Sequence, residues 1–217
     1  MLSVESCVIF CAGGFAGLAE PIGKADHILA ADGGLIHVQQ LGLEPHGILG
    51  DFDSLGYVPA AAERFPVEKD DTDAMLAVRH GLHLGYRRFL LYGSLDGSRL
   101  DHTVANFQTL QFLVDHGAEG YLIGLNTIAT VVKDGSLSFP AEAEGILSVF
   151  CMGSDAHGVS LSGLKYPLED ETLTAGFPLG VSNHFTGSAA TVSVKGGSLL
   201  VLWGRAVGFP GRTAYAD

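Results

Sequence analysis

Gly50-Asp51-Phe52-Asp53-Ser54 sets two carboxylates one residue apart, directly after the short apolar run Ile48-Leu49. In an extended segment alternate side chains face the same way, so Asp51 and Asp53 would point to one side while Phe52 turns into the protein. Two oxygen donors placed like this suit a divalent cation such as Mg2+. A turn rich in Asp and Ser has the same composition, and this stretch alone does not choose between the two. Other acids fall at comparable places: Asp32 after an apolar run, Asp73 at a helix start, and Asp101 after the glycine-containing stretch 93–99. Each alone reads equally well as a turn or N-cap residue. Five together point to one shared edge of a sheet. Gly33-Gly34 and Gly93-Ser94-Leu95-Asp96-Gly97-Ser98-Arg99 would offer backbone N–H groups near helix starts, as phosphate binding requires. Carboxylates do not attract phosphate directly, so the combination calls for Mg2+ between them, with Arg99 and Lys69 as fixed positive charges.

The elements that must position these groups follow from periodicity. Val8-Ile9-Phe10-Cys11-Ala12, closed by Gly13-Gly14, and His27-Ile28-Leu29-Ala30-Ala31, closed by Asp32-Gly33-Gly34, read as buried parallel strands. A short helix is expected over 35–41, a strand at 48–49, a helical turn or two over 60–64 and a strand over 89–92. Asp73 opens a helix carrying Met75, Val78 and Leu82 and ending near Gly85. Asp101-His102 opens another with Val104, Phe107, Leu110 and Val114, and Tyr121-Leu122-Ile123 returns as a strand. The pattern predicts an α/β domain over 1–125 with a mainly parallel, Rossmann-like sheet, whose strand ends would bring the acids to one edge. After Asn126 the helical spacing disappears. Runs at 127–132, 137–139, 146–151, 159–161, 189–194 and 199–203 predict strands, with Lys133-Asp134-Gly135-Ser136 as a hairpin turn. Residues 126–217 are therefore expected to form an all-β domain of sandwich or jelly-roll type. Phe209-Pro210-Gly211 begins a tail to which no element is assigned.

Composition narrows the function. The 217 residues are 47% hydrophobic and 17% charged, which describes a folded chain rather than a disordered one. Twenty-four acids against twelve Lys and Arg give a net charge of -12, and no basic patch interrupts them. Binding to nucleic acid or an anionic membrane is thereby disfavoured. Cys7, Cys11 and Cys151 form no C-x-x-C pair and are odd in number, so they read as buried thiols. With no export signal and no apolar run near the roughly 18 residues of a membrane span, a cytoplasmic protein is expected. His80 and His83 lie on one helix without an acid at metal-ligand spacing and read as packing or surface residues. Ser54 and Ser94 lack triad partners. Ser182-Asn183 are candidate ligand contacts, although short polar residues in a strand-end loop are more often structural.

Ala31-Asp32-Gly33-Gly34, Gly50-Asp51-Phe52-Asp53-Ser54, Lys69-Asp70-Asp71-Thr72-Asp73 and Gly97-Ser98-Arg99-Leu100-Asp101-His102, in this order, resemble the successive motifs of the thiamine pyrophosphokinase (thiamine diphosphokinase) family. Gly163-Leu164-Lys165-Tyr166-Pro167-Leu168 and Val181-Ser182-Asn183 resemble its thiamine-side segments. The resemblance implies transfer of a pyrophosphoryl group from ATP to the hydroxyethyl group of thiamine, giving thiamine diphosphate and AMP, with Mg2+ as cofactor. It also implies a homodimer. Asp32, Asp51, Asp53 and Asp73 correspond to the metal-binding acids, with Asp51, Asp53 and Asp73 as the catalytic ones. Gly33, Gly34, Lys69, Thr72, Gly93, Arg99, Asp101 and His102 lie in nucleotide-handling motifs, and Tyr166, Ser182 and Asn183 face thiamine. Asp96 and Ser98 stand where glycine is usual, Tyr166 where Trp is frequent, and His184 where an acid often follows Ser-Asn. Because every phosphate-handling acid precedes Asn126 and the acceptor contacts follow it, active sites shared between two chains are expected. Two other readings keep part of this chemistry: a diphosphokinase for another heterocyclic alcohol such as a pterin, and a nucleotide- or thiamine-binding regulator without turnover.

Replacing Asp51 or Asp53 by Asn preserves shape and removes charge. Turnover is expected to fall by at least roughly 100-fold, about 2.7 kcal/mol, with the circular dichroism spectrum unchanged. Near-normal turnover by both variants at limiting Mg2+ would remove these acids from the site.

Overall fold

The computed structural model describes residues 5–50 and 71–214, and the chain divides into two units, Met1–Leu125 and Asn126–Asp217. Asp51, Asp53, Lys69, Asp70 and the helical turn expected over 60–64 lie outside the described residues. Within the first unit the described strands are β1 (Cys7–Phe10), β2 (His27–Ala31), β3 (Gly47–Leu49), β4 (Arg88–Tyr92) and β5 (Glu119–Ile123). They run parallel in the order β3-β2-β1-β4-β5. Every residue of β1 is buried, as are all but the first of β2 and β4, which is what a continuous apolar run supplies to a strand. Phe10 lies opposite both Ala30 and Tyr92, and Ala31 opposite Leu49. The residues that follow, Cys11, Asp32, Gly50 and Gly93, therefore emerge along one edge of the sheet.

The helices are α1 (Leu35–Gln40), α2 (Asp73–His83) and α3 (Leu100–Asp115), each close to its expected span. Their buried faces are not those the large apolar residues suggest. On α2 the buried seam is Ala74, Ala77, Val78 and Gly81, while Met75 and Leu82 are half-buried. A Cβ on Gly81 would stand 2.6 Å from the Phe89 ring and 2.7 Å from Cys7 Sγ, so small residues let this helix approach the sheet closely. On α3 the seam is Asn106, Thr109, Leu110 and Leu113, and Val104 is 51% exposed. Of the expected stripe only Leu110 is fully buried.

The second unit is antiparallel. β6 (Thr127–Phe139) and β11 (Ala190–Gly204) are long strands paired along most of their length, joined by β7 (Ile146–Cys151), β8 (Ala156–Ser162), β9 (Leu168–Leu173), β10 (Gly180–His184) and β12 (Gly211–Ala214). The C-terminal half of β11 pairs with β7, which pairs with β10; its N-terminal half pairs with β8, which pairs with β9, and β12 lies on β6. Trp203 is buried against Phe139, with ring centroids 5.3 Å apart, and its Nε1 donates to Gly208 O at 2.8 Å. The expected hairpin at 133–136 is a correction: β6 runs straight through it. Asp134 takes φ 44, its Oδ1 accepts from Gly197 N at 3.0 Å, and the register shifts between Val194 and Ser198. The extra residues, 195–197, are on β11, and Asp134 faces them; Asp-Gly supplies a left-handed residue opposite a bulge as readily as inside a tight turn, so local chemistry could not tell them apart. The same bulge joins the runs 189–194 and 199–203 into one strand. β9, β10 and β12 carry no clear alternation and were not expected, although β12 occupies the unassigned tail. No helix among the described residues is long and apolar enough to cross a membrane.

Gly34 fixes how the loop after β2 meets β1, since a Cβ there would stand 1.9 Å from Phe10 O and 2.9 Å from Cys11 N. Both contacts are backbone atoms that cannot swing aside. Gly34→Ala is expected to lose about 3 kcal/mol in urea unfolding; an unchanged midpoint would show that the two strand ends are free to separate.

Candidate functional site

Where the parallel strands end, they surround a cavity of about 430 Å³. Cys11, Ala12 and Gly13 after β1, Ala31 and Asp32 at the end of β2, and Gly93 and Ser94 after β4 line it. Thr72, Asp73 and Ala74 bring the start of α2, and Gly97, Ser98, Arg99, His102, Thr103 and Asn106 bring the loop and first turns of α3. Two glycines let the β1 and β4 ends close together. Gly13 N donates to Gly93 O at 2.9 Å, while Gly93 has φ 66 and a Cβ there would lie 2.5 Å from Cys11 O.

The carboxylates are held by different devices. Asp32, which lines the cavity, adopts φ 47, in the left-handed region that Asp enters more readily than most non-glycine residues. Gly50 packs against it, a Cβ there being 3.1 Å from Asp32 Cα, so the end of β3 reaches the same place. Asp73 sits in the first turn of α2, whose N-cap Thr72 accepts from Met75 N at 3.2 Å through Oγ1. Burial, with the nearby Asp73 carboxylate adding to it, pushes the Cys11 thiol up to about 12. Cys11 is therefore a neutral wall residue rather than a nucleophile.

The loop before α3 is braced from beneath. Ser94 Oγ donates to Leu91 O at 2.7 Å, Asn106 Nδ2 donates to Ser94 O at 2.8 Å, and Thr103 Oγ1 donates to Leu95 O at 3.3 Å. Asp96 is outside the cavity lining; its Oδ2 accepts from Leu125 N at 2.6 Å. Arg99 is the N-cap of α3 and supplies no side-chain acceptor to it, while the Asp101 carboxylate in the first turn accepts from the His102 backbone. The Arg99 guanidinium reaches Asp101 through two bonds, Nη2 to Oδ2 at 2.6 Å and Nε to Oδ1 at 3.2 Å. The hydrogen bond from Arg99 holds the Asp101 carboxyl below its ordinary value, and the same bond raises Arg99. Both side chains are mostly exposed.

Of the residues singled out by sequence, Asp32, Thr72, Asp73, Gly93, Arg99 and His102 meet at this cavity, whereas Gly33, Gly34 and Asp101 do not line it. Gly33 and Gly34 are buried in the turn after β2, and Asp101 acts on Arg99. Cys11, Ala12, Gly13, Thr103 and Asn106 were not singled out for the site, and Ser94 only as part of the loop 93–99. Asn106 left no signal, because the buried seam that holds it is not the stripe the large apolar residues of α3 suggest. Asp32 and Asp73 are hard oxygen donors at one cavity, a fit for Mg2+, which takes one or two carboxylates and completes its shell with water and phosphate. The described residues by themselves hold no group of three or more potential ligands. His80 packs elsewhere, its ring 6.0 Å from His27, which also stacks on His46 and Tyr86.

In the second unit Tyr166 and Asn183 border a smaller, apolar cavity of about 220 Å³ with Leu161, Leu168, Leu179, Gly180 and Val181. Ser182 lies outside that lining at φ 59, its N–H donating to Ser148 Oγ at 3.1 Å.

Two family models match the chain in succession. Residues 18–122 match the thiamin pyrophosphokinase catalytic domain, and residues 136–199 match the thiamin pyrophosphokinase vitamin B1 binding domain. The chain belongs to the thiamin pyrophosphokinase family. A thiamine pyrophosphokinase of Bacillus subtilis (strain 168) is 27% identical over 183 residues, spanning 80% of this chain and 85% of the relative. The crystal structure of thiamine pyrophosphokinase from Bacillus subtilis superposes with a TM-score of 0.82 at 25% identity, covering 92% of this chain and 99% of that one. A thiamin pyrophosphokinase family protein from Enterococcus faecalis gives 0.74 at 26%, covering 91% and 97%. The enzyme from Candida albicans shares the fold, at 0.74 with 15% identity over 92% and 88%. Within the chain the lining residues from Ala31 onward fall inside the catalytic match, and Tyr166, Ser182 and Asn183 fall inside the vitamin B1 binding match.

Proposed function

We propose that this chain is an ATP-dependent thiamine diphosphokinase, which transfers the pyrophosphoryl group of ATP to the hydroxyethyl oxygen of thiamine and releases AMP. The observation that carries this reading is the paired match of catalytic and vitamin B1 binding domains to the two halves of the chain. That pairing disfavours a pterin acceptor, and the membership of an enzyme family disfavours a regulator without turnover. In the first unit, whose parallel strand order we read as Rossmann-like, the loop before α3 and the Arg99 guanidinium receive the polyphosphate, with Gly33, Gly34, Lys69, Thr72, Gly93, Asp101 and His102 in the nucleotide-handling segments. Asp32 and Asp73, with Asp51 and Asp53, would hold Mg2+, which supplies charge neutralisation at the phosphate oxygens. An alcohol attacking phosphorus needs alignment and a place for its proton more than a covalent partner on the protein. Asp51, Asp53 and Asp73 are the candidate acceptors of that proton.

In the second unit, which we read as sandwich or jelly-roll-like, Tyr166 and Ser182 face thiamine. A homodimer with shared sites and a cytoplasmic location belong to the same reading. Sharing is supported by the division of motifs between the two halves: an Asp53→Asn chain and a Tyr166→Ala chain, unfolded and refolded together and assayed at limiting thiamine, where the Tyr166→Ala dimer turns over little, should recover toward a quarter of wild-type activity by simple counting. No recovery despite confirmed subunit exchange would place each site on one chain.

Incubation with ATP, Mg2+ and thiamine, followed by chromatography, should yield AMP and thiamine diphosphate in equal amounts; their absence would overturn the assignment. Arg99→Lys keeps the charge and loses the planar fork, and should raise the KM for ATP more than that for thiamine. A rise confined to thiamine would assign the loop to the other substrate.

A further inference from the structure

Asn183 is 3% exposed and its carboxamide is spent on backbone. Oδ1 accepts from Tyr166 N at 2.9 Å and from His184 N at 2.9 Å, and Nδ2 donates to Tyr166 O at 2.7 Å. An amide oxygen has two lone pairs, and both are taken. The reason lies in the strand. Leu164 bridges Phe185, and Lys165 N donates to His184 O at 2.9 Å, so the next pairing of this segment would fall at residue 183. The backbone there is committed to β7, with Asn183 opposite Leu147 and a register shift between Gly180 and Asn183 that puts Ser182 at φ 59. The side-chain amide supplies the N–H and C=O that the strand no longer offers. Tyr166, held at both its backbone polar groups, keeps a side chain that borders the apolar cavity while the residue is 57% exposed.

We infer that Asn183 is a positioning residue: its carboxamide replaces a peptide group in the ladder, fixes the backbone of Tyr166, and through that ring sets the affinity for the acceptor alcohol. This rests on the reading that Tyr166 faces thiamine. Neither relative of Asn reproduces the fit, since Asp lacks the donor and Gln is one methylene longer.

Two measurements test it. Amide hydrogen exchange by NMR should show the Tyr166 N–H protected in the wild type and exposed in Asn183→Ala, with β11 protection retained; equal protection in both would overturn the clamp whether or not thiamine is the substrate. In kinetics, Asn183→Ala should raise the thiamine KM about 10-fold, the cost of ordering a released Tyr166 on binding, with the ATP KM unchanged. In a Tyr166→Ala background the same substitution should change the thiamine KM less than about twofold, because a residue acting through Tyr166 has nothing left to act on. Equal effects in both backgrounds would make Asn183 a direct contact and overturn the proposal. Asn183→Asp, which keeps shape and both acceptor bonds, serves if the alanine variant does not fold: it should raise the thiamine KM with Tyr166 present and not in its absence. A wild type without thiamine turnover would remove the functional reading, and the exchange measurement would still decide the clamp.

Discussion

A Cβ on Gly34 would lie 1.9 Å from Phe10 O, and one on Gly93 2.5 Å from Cys11 O, so the strand ends of the first unit meet at backbone contact. Everything at the larger cavity depends on that closeness. It brings Asp32 from β2, Asp73 from α2 and the Gly93 loop from β4 around one space of about 430 Å³. A single methyl group at either glycine would push two main chains apart, and no rotamer change relieves a clash between backbones.

The charge at this cavity is arranged against the chain's overall sign. The sequence carries a net charge of -12, and among the described residues the cavity lining gathers two carboxylates, Asp32 and Asp73, so the protein's general field does not draw an anion there. Under the proposed function the favourable charge is local, a guanidinium held in place by Asp101. The Arg99 fork is presented at the cavity by a neighbour two residues away, which limits its rotamers without burying it. Such an exposed pair adds little to stability, and its use is in orientation.

The second unit solves a different problem with the same economy of local chemistry. Its long strands β6 and β11 each serve more than one partner, and the bulge at Asp134 and Gly197 marks where β11 passes from β8 to β7. The edge strand β10 is bent by its own irregularity at Ser182, and Asn183 makes good the ladder that this breaks. In both places a short polar side chain does the work of a peptide group.

Sequence by itself determined the elements whose signal is local. Apolar runs located β1 to β5, because a strand buried on both faces must be apolar throughout, and glycines with Asp, Thr and Arg marked the points where those runs stop. The ordered motifs identified the family, since they carry phosphate chemistry in a fixed succession. What only tertiary structure decided is everything that depends on distance. The seams of α2 and α3 moved to Ala74, Ala77, Gly81 and Asn106, because close helix–sheet approach selects small residues and a braced loop selects a polar one. Lys133-Asp134-Gly135-Ser136 stayed inside one strand, opposite a bulge in β11, because the long strand opposite, not the local turn chemistry, chose the pairing. Asp101 turned to Arg99 and Asn183 to Tyr166, because a hydrogen-bonding side chain takes the nearest unsatisfied partner, and which partner is nearest is a property of the fold.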